Sequence, residues 1–475
     1  MFAALERAGI RACALRDELE SGELLGDLDL LVEEHRFPLA LSVLQSEGYR
    51  VLTTERSVPF KSALVKWDDG AFVVLDVHRR LVQDGIVYMD AGEVLSRMRR
   101  KEGYTLPAED DLLIILLIHN ILGKCRIQDK HMPLLRDLRD RIGEKEMRTR
   151  ISGRSGDVLA SVLASLEEHH ADKRLVEQVR VRLRQALLLD DPRARWRIRR
   201  RNWNRLLRRV SPKPRGPLYA LIGPDGVGKS SLNRELLDLF NRQSPFRAIS
   251  VYMGPWGHYR LPIEPGEVYV PGWSLTTREW FDAMISRPSG GRPSVIETLE
   301  YVFVKSGDAT SEARDHTWIQ RIRTQSRLYL TLRYLRSQLA VVRFFTVLAL
   351  ETVWRSLVIY KARRRGSIVL SDRYIYDVMT GRMHEVIPQY RRLREAFCRL
   401  VPRPTRVILL DVEPETILKR KNDLTPDTLT RVLAVYKDLA SRYRFDRVKA
   451  DASPATVAAT IVGRLFDEIA TALRK

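Results

Sequence analysis

Cysteine is scarce in this chain: Cys13, Cys125 and Cys398 are the only three in 475 residues, and they lie far apart. They form neither a paired framework nor a metal-ligand spacing, so nothing marks a disulfide scaffold, and a reducing compartment is expected. An apolar leader is lacking too, because MFAALERAGIRAC carries acids and arginines where a secretory peptide needs a hydrophobic run. The most apolar region, Leu328–Tyr360, is cut by Arg333, Arg336, Arg343, Glu351 and Arg355, so no uncharged piece is long enough to span a bilayer. Acids are outnumbered: 60 Asp and Glu against 81 Lys and Arg leave a net charge of +21. That excess favours anionic partners such as nucleotides, nucleic acid or an acidic membrane surface. The 44% hydrophobic content is that of a globular protein. The length calls for two or three domains, in the cytoplasm or at its membrane surface.

What is present centres on Tyr219–Ser231, YALIGPDGVGKSS. An apolar strand, Leu218–Ile222, runs into Gly223-x4-Gly228-Lys229-Ser230, and a helical pattern with Leu236, Leu237 and Phe240 on one face follows. Such a turn cradles phosphate. Gly223, Gly226 and Gly228 let backbone amides point inward, with Pro224, Val227 and Ser231 completing the loop, and the next helix offers its positive end. Lys229 is the point charge for β- and γ-phosphates, and Ser230 puts a hydroxyl where Mg2+ would sit.

Downstream, strands alternate with helices, which argues a parallel sheet with ligands at the carboxyl ends of its strands. GSIVLSDRYIYD ends a strand in Asp372, an acid placed to hold Mg2+, followed by Arg373, which can fork onto a phosphate. The cradle contains no arginine, so Lys419, Arg420 and Lys421 after TRVILLDVEPE are candidate lid cations. A solvated helix face is the plainer account of that run.

With these residues named, 216–475 resembles the thymidylate kinase family, through GPDGVGKSS, SDRY, VILLDVEPETILKR and the DASP loop before the last helix. The resemblance implies a three-layer α/β/α fold and ATP- and Mg2+-dependent phosphoryl transfer. It implies that Lys229 and Ser230 hold ATP phosphates, Asp225 approaches the acceptor, Asp372 and Arg373 handle metal and acceptor phosphate, and Arg420 clamps the phosphoryl group. Asp451 and Ser453 would lie near the adenine. The family's Ser-x-x-Ala-Tyr-Gln after the Asp-Arg pair is replaced by YDVMTGRMHE, and its Arg-Glu-Pro-Gly-Gly segment by MGPWGHYR, so the acceptor differs.

The N-terminal part reads as strands IRACAL, LDLLV, YRVLTT and FVVLDVH with a helix near Phe37–Glu47. Alternation puts Asp27 and Asp29 on one face, and Asp76 from a neighbouring strand would complete an oxygen site for Mg2+. Through GDLDLLV and LDVH, residues 1–140 resemble the nucleotidyltransferase superfamily related to DNA polymerase beta. That implies an α+β domain whose Asp27, Asp29 and Asp76 hold two metals for nucleotidyl transfer. Leu15-Arg16-Asp17 stands where the family has its Gly-Ser turn. His78 is expected beside Asp76, and His119 in the core.

Between the halves, residues 193–215 hold eleven Lys and Arg and no acid, with Trp196, Ile198 and Trp203 interleaved. They suit a lipid interface, single-stranded nucleic acid, or simple packing on a domain. The expected order is therefore a nucleotidyltransferase-like domain at 1–108, a helical extension at 109–192, a basic amphipathic linker at 193–215, and a kinase-like domain at 216–475 with an insertion at 254–326. Two further readings stand beside the kinase: a nucleotide-dependent switch using the linker, and an N-terminal transferase regulated by the second half.

Overall fold

The run Leu218–Ile222 is apolar at all five positions, so it has no face to turn to water and belongs inside a sheet covered on both sides. A computed structural model, which describes residues 1–16, 27–53, 58, 60–101, 103–150, 154–191, 193–199, 202–203, 215–253, 267–268, 346, 349–350, 352–379, 401–420 and 426–474, buries all five. The chain is mixed α/β and divides into two units, Met1–Pro214 with Leu465–Lys475, and Arg215–Arg464.

In the first unit the strands are β1 (Ala12–Ala14), β2 (Asp27–Val32), β3 (Arg50–Val51), β4 (Lys61–Asp68) and β5 (Ala71–His78). They form one sheet in the order β1-β2-β5-β4-β3, in which only β2 and β5 run parallel. Register sets Asp29 directly opposite Asp76 and Leu31 opposite His78. Two small hairpins follow, β6 (Leu81–Gln83) with β7 (Ile86–Met89), and β8 (Arg99–Lys101) with β9 (Tyr104–Leu106). The expected strands at IRACAL and YRVLTT shorten to three and two residues, and β4 is one that the sequence reading did not pick out.

The apolar run LLIILLI lies in the helix Glu109–Ile118, whose Leu112–Ile118 are all buried. It does not continue as one block to Arg141. A π-helical turn, His119–Lys124, interrupts it, and a new helix spans Met132–Arg150. Asp110 and Asp111 in the first turn of the helix Glu109–Ile118 are buried and meet Arg97, with Arg150 also on Asp111. Helices Arg154–Ala164, Leu166–Ala171 and Lys173–Asp190 extend the same core. Past them Ala194 is buried and Ile198 packs on that core, while Trp196 and Trp203 are exposed.

The second unit holds a sheet of six parallel strands, β10 (Leu218–Ile222), β11 (Ala248–Tyr252), β12 (Glu267–Val268), β13 (Ile368–Asp372), β14 (Arg406–Asp411) and β15 (Asp446–Lys449), in the order β12-β11-β13-β10-β14-β15. The chain leaves β10 toward one side of the sheet and returns to its other side for β14. The carboxyl end of β10 is thus a topological switch point, where open parallel sheets form their ligand crevice. Entry into β10 is tight. A Cβ on Gly216 would lie 1.8 Å from the Ser367 carbonyl oxygen, and Arg363 bonds both the amide and the carbonyl of Gly216. Of the expected insertion at 254–326, only residues 267–268 belong to the described chain. Among the described residues no helix is long and apolar enough to cross a membrane.

Candidate functional site

The loop after β10 takes its shape from its glycines. Gly228 has φ 96°, a left-handed value costly for other residues, and a Cβ there would meet nothing within 4 Å. The space over the loop is open. The helix Lys229–Arg242 starts directly behind it, so first-turn amides without intrahelical partners face the same hollow. A cavity of about 620 Å3 opens here, lined on one side by Asp225–Leu232. Its lining also takes in Tyr252 of β11, Asp372 and Arg373 at the end of β13, Leu410 of β14, Arg420, and Ala450, Ala452, Pro454 and Val457.

Lys229 is almost fully buried, and its ammonium donates to the Gly223 and Pro224 carbonyls, 2.8 Å each, with Asp225 at 3.5 Å. Burial pushes its pKa down, Arg373 adding to that, against the pull of Asp377, Asp225 and Asp372. The Ser230 hydroxyl donates to Asp372 Oδ2 at 2.8 Å, while Asp372 Oδ1 is buried without a hydrogen bond among the described residues. Arg373 has φ 65° and pairs with Asp225, its other terminal nitrogen 3.7 Å from Asp377. Burial opposes its charge, but Asp225, Tyr252 and Asp377 outweigh that and raise its pKa.

Sequence and structure can be compared residue by residue here. Lys229, Ser230, Asp225, Asp372, Arg373 and Arg420 meet at one cavity, with Gly226, Val227, Gly228 and Ser231. Asp451 and Ser453 are exposed, and the lining comes from Ala450 and Ala452 beside them. Ser453 instead caps the last helix, its hydroxyl accepting from the Thr456 amide at 3.2 Å. Lys421 lies outside the described residues.

Two groups went unnoticed in the sequence. Asp377 is buried five residues past Asp372, and Tyr436 from the helix Pro426–Tyr443 sends its hydroxyl 3.0 Å from both Gly223 O and Asp377 Oδ1. Burial pushes the Asp377 carboxyl up to about 6, against the pull of Lys229, Arg373 and Tyr436. Tyr436 sits 213 residues from Gly223, so no local pattern could have joined them.

In the first unit a cavity of about 270 Å3 is lined by Arg16, Asp29, Lys61, Asp76, His78 and His119, among others. Asp29, Asp76 and His78 each offer one ligand atom within 4.8 Å of the others. Protein cations already occupy the carboxylates: Arg16 pairs with Asp29 Oδ2 and Lys61 with Asp76 Oδ2. His78 bonds Asp29 Oδ1 at 2.9 Å, so its observed partner is Asp29 rather than the expected Asp76. The parallel register explains this, since it places Asp29 across from Asp76 and one step diagonal to His78. Burial pushes the Asp29 carboxyl up, but the His78 hydrogen bond and the charges of His78, Arg16 and Lys61 hold it well below the usual range. Asp27 is the first residue of β2, opposite Val74. His119 Nε2 is buried without a hydrogen bond, and burial lowers its pKa to about 4.

Neither a scan of protein-family models nor a search of curated proteins found a match to this chain.

Proposed function

We propose that the second unit transfers the terminal phosphoryl group of ATP to a small-molecule acceptor, in the manner of a P-loop kinase of three-layer α/β/α form. The observation that carries this reading is the convergence of Lys229, Ser230, Asp372, Arg373 and Arg420 on one cavity at the switch point of a parallel sheet. The residues suit Mg2+: Ser230 and Asp372 offer hard oxygens 2.8 Å apart, and Asp372 Oδ1 is a buried acceptor with no donor among the described residues. When bound, Mg2+ would neutralise charge developing on the phosphoryl oxygens.

The chain's own residues do the rest. Lys229 leaves the Gly223 and Pro224 carbonyls for the β- and γ-phosphates, exchanging neutral acceptors for charged ones. Arg373, oriented by Asp225 and Asp377, faces the acceptor, and Arg420, which also lines the cavity, supplies further charge. Asp225 orients the acceptor hydroxyl once Arg373 turns to a phosphate. Catalysis is then positioning plus charge neutralisation.

In the first unit, Asp29 opposite Asp76 on parallel strands supports the reading of a nucleotidyltransferase-like domain. Its described donors do not fit a two-metal centre as arranged, because Arg16 and Lys61 already neutralise the two carboxylates. The switch reading keeps one observation of its own, the exposed Trp196 and Trp203 in the arginine-rich 193–215 segment. It requires ATP binding without turnover and salt-sensitive binding to anionic vesicles or oligonucleotides. The test is purified protein with ATP, Mg2+ and a panel of nucleotides and sugar phosphates. The kinase reading expects a phosphorylated product that disappears in Lys229→Ala, and no Lys229-dependent product from a folded protein would overturn it.

A further inference from the structure

Tyr436 has one hydroxyl proton and two acceptors. Its oxygen lies 3.0 Å from the Gly223 carbonyl and 3.0 Å from Asp377 Oδ1, with all three groups out of solvent. If Asp377 is ionised, both neighbours can only accept, and the single proton satisfies one of them. If Asp377 carries a proton, the count closes: the carboxyl donates to the Tyr436 oxygen, and Tyr436 donates to Gly223. The same Gly223 carbonyl also accepts from Lys229 at 2.8 Å. Lys229 must abandon that carbonyl to reach a phosphate, and a buried carbonyl stripped of its donor is costly. Tyr436 is the only other group seen donating to Gly223 O among the described residues.

From this geometry we infer that Asp377 and Tyr436 form a proton-operated latch on the phosphate loop: with Asp377 protonated, Tyr436 holds the Gly223 carbonyl and frees Lys229 for the nucleotide. With Asp377 ionised, Tyr436 turns to the carboxylate and Lys229 is kept on the loop. The inference rests on the phosphoryl-transfer reading and adds to it a regulation of the same site. Both are positioning residues, acting through the loop rather than on substrate. Among the described residues, the groups facing Asp377 include Lys229 and Asp225 from the loop and its helix, Arg373 on its own segment, Tyr252 at the end of β11 and Tyr436. Two of these are cations, yet burial dominates and places the carboxyl near 6, within reach of ordinary pH.

The sign follows directly. Ionising Asp377 retains Lys229 and adds a negative charge behind the loop, and both disfavour a polyphosphate. Nucleotide affinity therefore falls as pH rises through the Asp377 value. The test is calorimetric titration of the full chain with a non-hydrolysable ATP analogue and Mg2+ between about pH 5 and about pH 8. The side-by-side variants are Asp377→Asn, which keeps a donor toward Tyr436 at every pH, and Tyr436→Phe. The analogue's own titration is common to all three proteins and cancels in the comparison.

Wild-type Kd should weaken across this range by about tenfold more than that of Asp377→Asn. Tyr436→Phe should bind at acid pH about as weakly as the wild type does at alkaline pH. Coincident pH slopes for wild type and Asp377→Asn, with binding intact, overturn the latch and leave the kinase reading standing. No nucleotide binding by the wild type at any pH overturns both.

Discussion

In the N-terminal cavity both oxygens of Asp29 have partners, Arg16 and His78, whereas in the C-terminal cavity Asp372 keeps a buried oxygen without one among the described residues. The cations differ in the same sense. Lys61 is spent on a carboxylate at short range, but Lys229 donates to two neutral carbonyls, with the Asp225 carboxylate farther off at 3.5 Å, an arrangement that a phosphate oxygen can outcompete. Two pockets with nearly the same inventory of acids and bases are thus set up for different work. Closed pairs hold a fold together; open donors and acceptors wait for a ligand. What separates them is partner assignment, not composition.

The largest separation should come from Lys229→Ala. Phosphoryl transfer should fall by at least about 10²-fold, while the unfolding of the first unit stays unchanged. A product-formation assay beside thermal unfolding reads both. Next is Asp29→Ala, which leaves Arg16 and His78 facing a gap and should destabilise the first unit by about 3 kcal/mol, seen as an earlier transition in denaturant, without loss of the nucleotide binding proposed for the second unit. Strong nucleotide loss in Asp29→Ala would break the comparison.

An acid titration of stability sharpens it. Asp29 is depressed, so its contribution is complete above the unfolded carboxylate value of about 4 and is given up as pH falls further. His119 acts in a higher window. Held neutral down to about 4, it makes stability fall as pH drops below the unfolded histidine value of about 6.5. His119→Leu should flatten that window while changing stability at neutral pH by less than about 1 kcal/mol. Midway between is Asp90→Ala. Asp90 accepts from the Glu93 amide at 2.8 Å as the N-cap of the helix Ala91–Ser96, and its loss should cost about 1 kcal/mol.

The legible parts were those in which one short stretch carries the physics. LYALI with a glycine turn and an amphipathic helix states its own geometry, and Asp372 could be placed because an acid ending an apolar strand is itself a local pattern. Asp29 and Asp76 could be paired in prospect because strands alternate. Their occupants could not: Arg16 and Lys61 reach them from other segments, and charge alone does not say which acid a given arginine will choose. The break at His119–Lys124 was hidden for a different reason, since apolar residues continue through a π turn as they would through an α-helix. Tyr436 and Asp377 depend on a helix crossing behind the loop, a distance in sequence that no periodicity spans.

The pinch at Gly216 bears on how this protein could be taken apart or rebuilt. With the Ser367 carbonyl where a first side-chain carbon would sit, even alanine has to push the backbone aside there. Any recombination that grafts the second unit onto a new neighbour must therefore make its joint upstream, at Arg215 or earlier, and carry the native glycine along. A crossover placed a single residue later would shift the first strand of the sheet, and with it the mouth of the cavity at its carboxyl end.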